Sequence, residues 1–235
     1  MTNTKMLEAA YTLVKTLDSD SQTMIDKITK DNIQWDFNTT ETVIANMIIQ
    51  LKQDIVSDEA KKNGKNNQLK AIKEILKSTS KLPAEALHYV KTIGNYQYAC
   101  DNYILAKINS VGELKECPEN LKYMDVEKLL ENKNRDKELD VPYMSKLKAY
   151  IKDRAAKNKE KKGYKILYNF GKDQPLVDAK MLNLAIDVMD GEFKAYYKDE
   201  NSALYFEDKK GNEVLLMPVS KTNPSAGFID ETTKL

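Results

Sequence analysis

The chain is poor in the residues that carry most enzyme chemistry. Its 235 residues include one histidine, His88, and two cysteines, Cys100 and Cys117. The cysteines match neither a metal-ligand spacing nor a disulfide framework, which suits a reducing cytoplasm. No Walker loop, dinucleotide-binding glycine fingerprint, CxxC or HExxH occurs, and no serine or cysteine nucleophile stands in a recognisable setting. The expectation is therefore no catalytic residue, no cofactor and no metal motif. His88 reads as a half-buried structural imidazole within a strand. The carboxylate pairs Asp199-Glu200 and Glu207-Asp208 fall at turns, where solvation accounts for them.

Net charge is also nearly absent: 37 basic residues balance 36 acidic ones, for a net charge of +1. Only the distribution of charge can then argue for a nucleic-acid partner. No apolar run approaches the ~20 residues of a membrane span. Met1–Leu17 carries Glu8 and Lys15 and lacks the apolar core of a secretion signal. These features predict a soluble cytoplasmic protein with no membrane partner. Heavy use of Lys, Asn, Ile and Tyr is the composition expected of an AT-rich bacterial or phage genome.

The periodicity divides the chain into a helical N-terminal region (1–65), an α+β domain (66–220) and a flexible tail (221–235). Met6, Leu7, Ala10, Leu13, Val14 and Leu17 form a helical stripe, and Ser19 or Ser21 caps a second helix running to Lys30. Ile33–Phe37 alternates as a strand would. Thr39 precedes a stronger helix on Val43, Met47, Leu51 and Ile55, and Ser57–Asn67 reads as an exposed polar loop. A further helix spans Asn67–Ser78. Ala86–Ile93 and Tyr96–Ile108 read as two strands about Gly94-Asn95. A short helix at Asp125–Glu131, a strand at Lys137–Val141, a helix from Tyr143 to Lys159 and a strand at Tyr164–Phe170 follow.

The clearest unit is Pro175–Val219. It predicts a short strand, a helix capped by Asp178 and stopped at Asp190-Gly191, then strands at Phe193–Tyr197, Ala203–Phe206 and Glu213–Val219. Asp208–Asn212 forms the last hairpin turn, and Pro218 closes the final strand.

What the chain does have is a local basic cluster. Between Met144 and Lys165 lie Lys146, Lys148, Lys152, Arg154, Lys157, Lys159, Lys161, Lys162 and Lys165, against only Asp153 and Glu160. Lys148, Lys152 and Lys159 share the face opposite Leu147 and Ile151, so one side of this helix could pack on a sheet while the other offers cations to phosphates. Lys-rich helices also occur simply as solvated surface. A second cluster, including Lys61, Lys62, Lys65, Lys70, Lys73 and Lys77, lies on the other helix that precedes a hairpin.

In their order, several short phrases resemble the bacterial DNA polymerase sliding clamp (beta subunit). Val177–Met189, VDAKMLNLAIDVM, is similar to the segment entering the second helix of the clamp module. Leu216–Val219, LMPV, is similar to its closing strand. Ala99–Ala106, ACDNYILA, stands where the clamp hairpin carries a phrase like ATDGYRLA, with Ile104 in place of the arginine. Tyr123–Leu130 is similar to the connector that often starts Tyr-Pro-Asp. The likeness covers about Asn67–Val219, and it suggests a divergent member of the kind found in phages or mobile elements.

The resemblance implies a clamp-like α+β module, an antiparallel sheet with helices on one face, without enzymatic activity. It implies helices that contact DNA phosphates without reading bases; Lys146, Lys148, Lys152, Arg154, Lys157, Lys159, Lys70 and Lys73 are the matching candidates. It also implies a partner pocket at Leu176, Val177, Leu216, Met217 and Pro218, although core is the commoner role for such residues. Replication proteins and further copies of the chain are the implied partners. The second helix brings Asp178, Asp187 and Asp190 beside Lys180 and is a poor cationic wall. Two other readings stand beside this one: a helical regulatory or interaction protein with a β scaffold and no DNA binding, and a metal-dependent nuclease using dispersed carboxylates.

Overall fold

The structure, a computed structural model, describes residues 37–221 apart from 81, 113, 132 and 158–164. The expected helices before residue 31, most of the Ile33–Phe37 stretch and the tail after Lys221 lie outside the described residues. The chain divides between Asn63 and Gly64 into two units, each described by itself.

In the first unit, helix α1 runs Phe37–Lys62. It continues through the polar stretch expected to be a loop. No glycine or proline occurs in its first six residues, 57–62, which the helix takes in, and their polar groups bond along the helix: Ser57 Oγ donates to Gln53 O at 2.7 Å, and Lys61 pairs with Asp58 at 3.3 Å. The chain turns only at Gly64, whose φ of +72° suits a residue without a Cβ.

The second unit is a duplicated pattern. Helix α2 (Asn66–Thr79) leads through a 3-10 turn (Glu85–His88) to strands β1 (Lys91–Ile93), β2 (Tyr96–Cys100) and β3 (Ile104–Asn109). After a connector bearing α3 (Val126–Glu131), β4 (Lys137–Glu138), helix α4 (Met144–Lys157) and β5 (Leu167–Asn169), the pattern recurs. Strand β6 (Leu176–Asp178) feeds helix α5 (Ala179–Val188), and β7 (Phe193–Tyr197), β8 (Leu204–Asp208) and β9 (Glu213–Leu216) follow. The seven-stranded antiparallel sheet has the order β1-β2-β3-β9-β8-β7-β4, so the two meanders meet at their last strands. Strands β5 and β6 form a separate antiparallel pair.

Period-two alternation gives the sheet two buried faces. Ile104, Ala106, Ile108, Leu204, Phe206, Val214 and Leu216 are buried on one, where α2 packs on β2 and β3 and α5 packs on β3 and β9. Tyr98, Cys100, Leu105 and Tyr205 cluster with Leu87, Val126 and Leu130 on the other, beneath the connector. The result is an α+β fold: an antiparallel sheet with helices α2 and α5 on one face.

Several expected boundaries shift, each for a local reason. Tyr96–Ile108 is two strands, because Asp101 builds a turn without glycine or proline. Its Oδ1 accepts from the N–H groups of Tyr103 at 2.7 Å and Ile104 at 2.9 Å. Ala86–His88 is a 3-10 turn rather than strand, with His88 Nε2 3.1 Å from Leu82 O. The Asp178 cap is present, accepting from Lys180 N at 2.8 Å, but α5 stops at Val188. There Met189 turns extended and Gln68 Nε2 donates to Val188 O at 2.7 Å, before the chain reaches Gly191.

The sheet ends in different ways. At β1 the outward N–H of Val90 is taken by Lys115 O at 3.0 Å. That of Thr92 is taken by Glu116 Oε1 at 2.8 Å, while Thr92 Oγ1 donates to Glu116 Oε2 at 2.6 Å. A side chain thus stands where another strand would pair. At the far end, β4 is two residues long and both are charged.

Candidate nucleic-acid interface

Helix α4 has no acidic residue in its first turn and ends in Arg154 and Lys157, which complement the negative end of its dipole. Leu147 anchors it with no exposed surface, whereas Met144 and Ile151 are half-buried and Ala155 is exposed. The inward stripe is therefore shorter than the spacing suggested. The helix also packs on α5 rather than on a sheet, which corrects the sequence expectation. The Tyr150 hydroxyl donates to Leu167 O at 2.7 Å and ties α4 to the β5–β6 pair. Helix α5 packs in turn on α2, so it touches both basic helices.

The candidate cations fall into three groups. Lys146 and Lys152 on α4 and Lys70 and Lys73 on α2 are exposed, and none of the four forms an ion pair among the described residues. Lys148 and Lys157 are held by protein carboxylates, Asp187 at 3.4 Å and Asp153 at 2.8 Å. The Arg154 guanidinium lies 5.4 Å from the centre of the Tyr150 ring. Lys159 lies outside the described residues. Together α2, α4 and α5 bear Lys70, Lys73, Lys77, Lys146, Lys148, Lys152, Arg154, Lys157 and Lys180 against Glu74, Asp153 and Asp187. In a chain with balanced charge, this is a marked local excess.

The partner-pocket candidates separate by exposure. Leu176, Val177 and Leu216 are core, at 0%, 0% and 1% exposure, and present no surface; Met217 is 47% exposed. Pro218 is half-buried. Met217 lies beside Tyr103, whose carbonyl accepts from Met217 N at 2.8 Å, and Lys165 Nζ sits 4.8 Å over the Tyr103 ring. Tyr103 was missed as a surface residue because its segment read as continuous strand.

The sequence also gave no sign of a buried polar cluster on the connector side of the sheet. Glu213, 8% exposed, accepts from Lys107 at 2.7 Å, Lys133 at 2.9 Å and the Tyr205 hydroxyl at 2.6 Å. Burial opposes ionisation of Glu213, but the hydrogen bonds from Lys107, Tyr205 and Lys133 outweigh it and hold the carboxyl at about 2. Burial and the two carboxylates push the Tyr205 hydroxyl well above its ordinary value. Arg135 pairs with Glu207, with Nε 2.8 Å from Oε1. These contacts fasten the connector to the sheet, and they assign Glu207 a partner where the sequence suggested solvent.

No group of three or more His, Cys, Asp or Glu side chains is placed to hold a metal among the described residues. Burial raises the Cys100 thiol to about 12 and also raises that of Cys117, the reverse of what a thiolate nucleophile needs. No described helix is long and apolar enough to cross a membrane.

No protein-family model matches the sequence, and no curated protein matches it. Among solved structures, the chain is similar to one from Eubacterium rectale described as a candidate DNA polymerase III beta subunit. The likeness has 14% sequence identity and a TM-score of 0.45, over 66% of this chain and 64% of that one.

Proposed function

We propose that the Gly64–Lys221 unit is a clamp-like, non-enzymatic module that binds the DNA backbone without reading sequence, through basic side chains on α2 and α4. The observation that carries this reading is the concentration of nine basic against three acidic side chains on the three helices. Lysines on rigid helices supply phosphate contacts whose strength falls with salt and does not depend on sequence. Two further points support it. The phrase ACDNYILA spans the turn from β2 into β3, and LMPV begins at the last residue of β9, although Met217–Val219, expected in that strand, lie beyond it. The duplicated helix-plus-meander pattern places α2 and α5 on one sheet face.

The test is titration of a labelled random-sequence duplex between about 50 and 200 mM salt. With four to six phosphate contacts, affinity should fall roughly 10²- to 10³-fold over that range. Absence of binding at the low-salt end would refute the proposal.

A second reading is favoured by the exposed pair Met217 and Tyr103. An apolar and an aromatic side chain, adjacent and ringed by Pro218 and Lys165, suit an extended peptide of a replication partner. Met217→Asp would abolish such an interaction and leave DNA affinity unchanged, which separates the two surfaces.

A further inference from the structure

We propose that Asp187 lowers the DNA affinity of the helical face by holding Lys148 on the protein, so that the face binds the backbone loosely. This inference rests on the phosphate-binding reading above.

Asp187 belongs to α5, the helix that touches both basic helices, and its side chain is 15% exposed against 53% for Lys148. Its Oδ1 lies 3.4 Å from Lys148 Nζ, across the α4–α5 contact. Its Oδ2 accepts from Asn183 Nδ2 at 2.8 Å, one helical turn earlier. Asn183 Oδ1, in contrast, is buried with no hydrogen-bond partner. Turning the Asn183 amide over would aim that oxygen at the Asp187 carboxylate, so the donor orientation is kept although the acceptor is left bare. The carboxylate is thereby fixed on the one helix of the three that adds no net positive charge.

A phosphate approaching Lys148 must then displace a carboxylate already in place, not only mobile counterions. That same carboxylate, fixed by Asn183, also repels the phosphate. A single ion pair as exposed as this one is weak, so it reduces affinity rather than blocking binding. Several weak, exchangeable contacts are what a protein needs to move along DNA without letting go.

The experiment compares wild type with Asp187→Asn, which keeps the shape and a partner for Asn183 but removes the charge. Glu192→Gln is the control: it makes the same charge change where the partner is Lys209, off the three helices. At about 100 mM salt, D187N should bind random duplex roughly three- to tenfold more tightly, and the slope of log affinity against log salt should steepen by about 0.9. E192Q should change affinity less than about twofold. A D187N variant with wild-type affinity and slope, or an E192Q variant that matches D187N, would overturn the inference while the phosphate-binding reading stands. Wild type and D187N both failing to bind would overturn both. If D187N does not fold, Lys148→Gln and Lys152→Gln decide the matter. K148Q should cost less than about twofold and K152Q more, because Lys148 is already engaged; equal losses would refute the proposal.

Discussion

Replacing Glu213 by glutamine removes the charge at the centre of the connector-side cluster without changing its shape. The carboxyl is held at about 2 by Lys107, Tyr205 and Lys133, against an ordinary value of 4.5. A folded value depressed below the unfolded one stabilises the fold at every pH above the unfolded value, and this stabilisation is lost as pH falls through the folded one. At about 1.4 kcal/mol per tenfold change, the contribution is roughly 3.5 kcal/mol at neutral pH and about 1.5 kcal/mol at pH 3. Lys107 adds to the penalty, because its side chain is only 17% exposed and loses its charge partner. Urea denaturation of wild type and E213Q across pH 7 to 3 measures the difference, and the other carboxylates cancel in the comparison. The gap should be about 3 kcal/mol or more at pH 7 and should shrink by roughly 2 kcal/mol on reaching pH 3. A gap below about 0.5 kcal/mol, or one that does not change with pH, would refute the assignment of Glu213 as a buried, ionised anchor.

Other parts of the fold can be tested separately. Asp178→Ala removes the cap of α5 and should cost about 1 kcal/mol, read as a lower urea midpoint with an unchanged slope. Glu116→Ala frees the Thr92 N–H at the β1 edge, so its hydrogen exchange should accelerate about tenfold while Ala99, in the interior of the sheet, is unaffected. Leu147→Ala removes the only fully buried side chain of α4 and should cost about 2–5 kcal/mol, with loss of duplex affinity as the helix detaches.

The sequence revealed most where local chemistry determines structure. Asp178 before an apolar run and Asp208–Asn212 between two strand patterns each need only their neighbours to act, and β6–α5–β7–β8–β9 was legible for that reason. The β2–β3 turn was not, because Asp101 makes it with its own side chain inside a run of strand-forming residues. Residues 57–62 looked like a loop, yet their polar side chains bond along the helix and Ala60 continues the buried side begun at Val56. Glu213 shows the limit of alternation: a charged residue in a strand reads as solvent-facing, and only the fold brings Lys107 and Lys133 to it. The basic clusters were visible as composition. That Lys148 is held by Asp187 and that α4 lies on a helix depend on contacts 39 residues apart in the chain. The partner candidates show the same division, since Leu176, Val177 and Leu216 have the apolar character of both a pocket and a core.

The most direct test of the proposed function is the salt dependence of random-duplex binding by wild type and by Lys148→Glu/Lys152→Glu. Both side chains are exposed, and the only pair lost is that of Lys148 with Asp187, so the double variant should stay folded with a stability in urea within about 1 kcal/mol of wild type. Wild type should bind with a steep salt slope, and the variant should lose at least roughly tenfold in affinity and about 0.9 in slope, the contact of Lys152, since Lys148 is engaged by Asp187. A variant that folds and binds duplex as wild type does, at every salt concentration, would contradict the claim that α4 is the DNA-binding face.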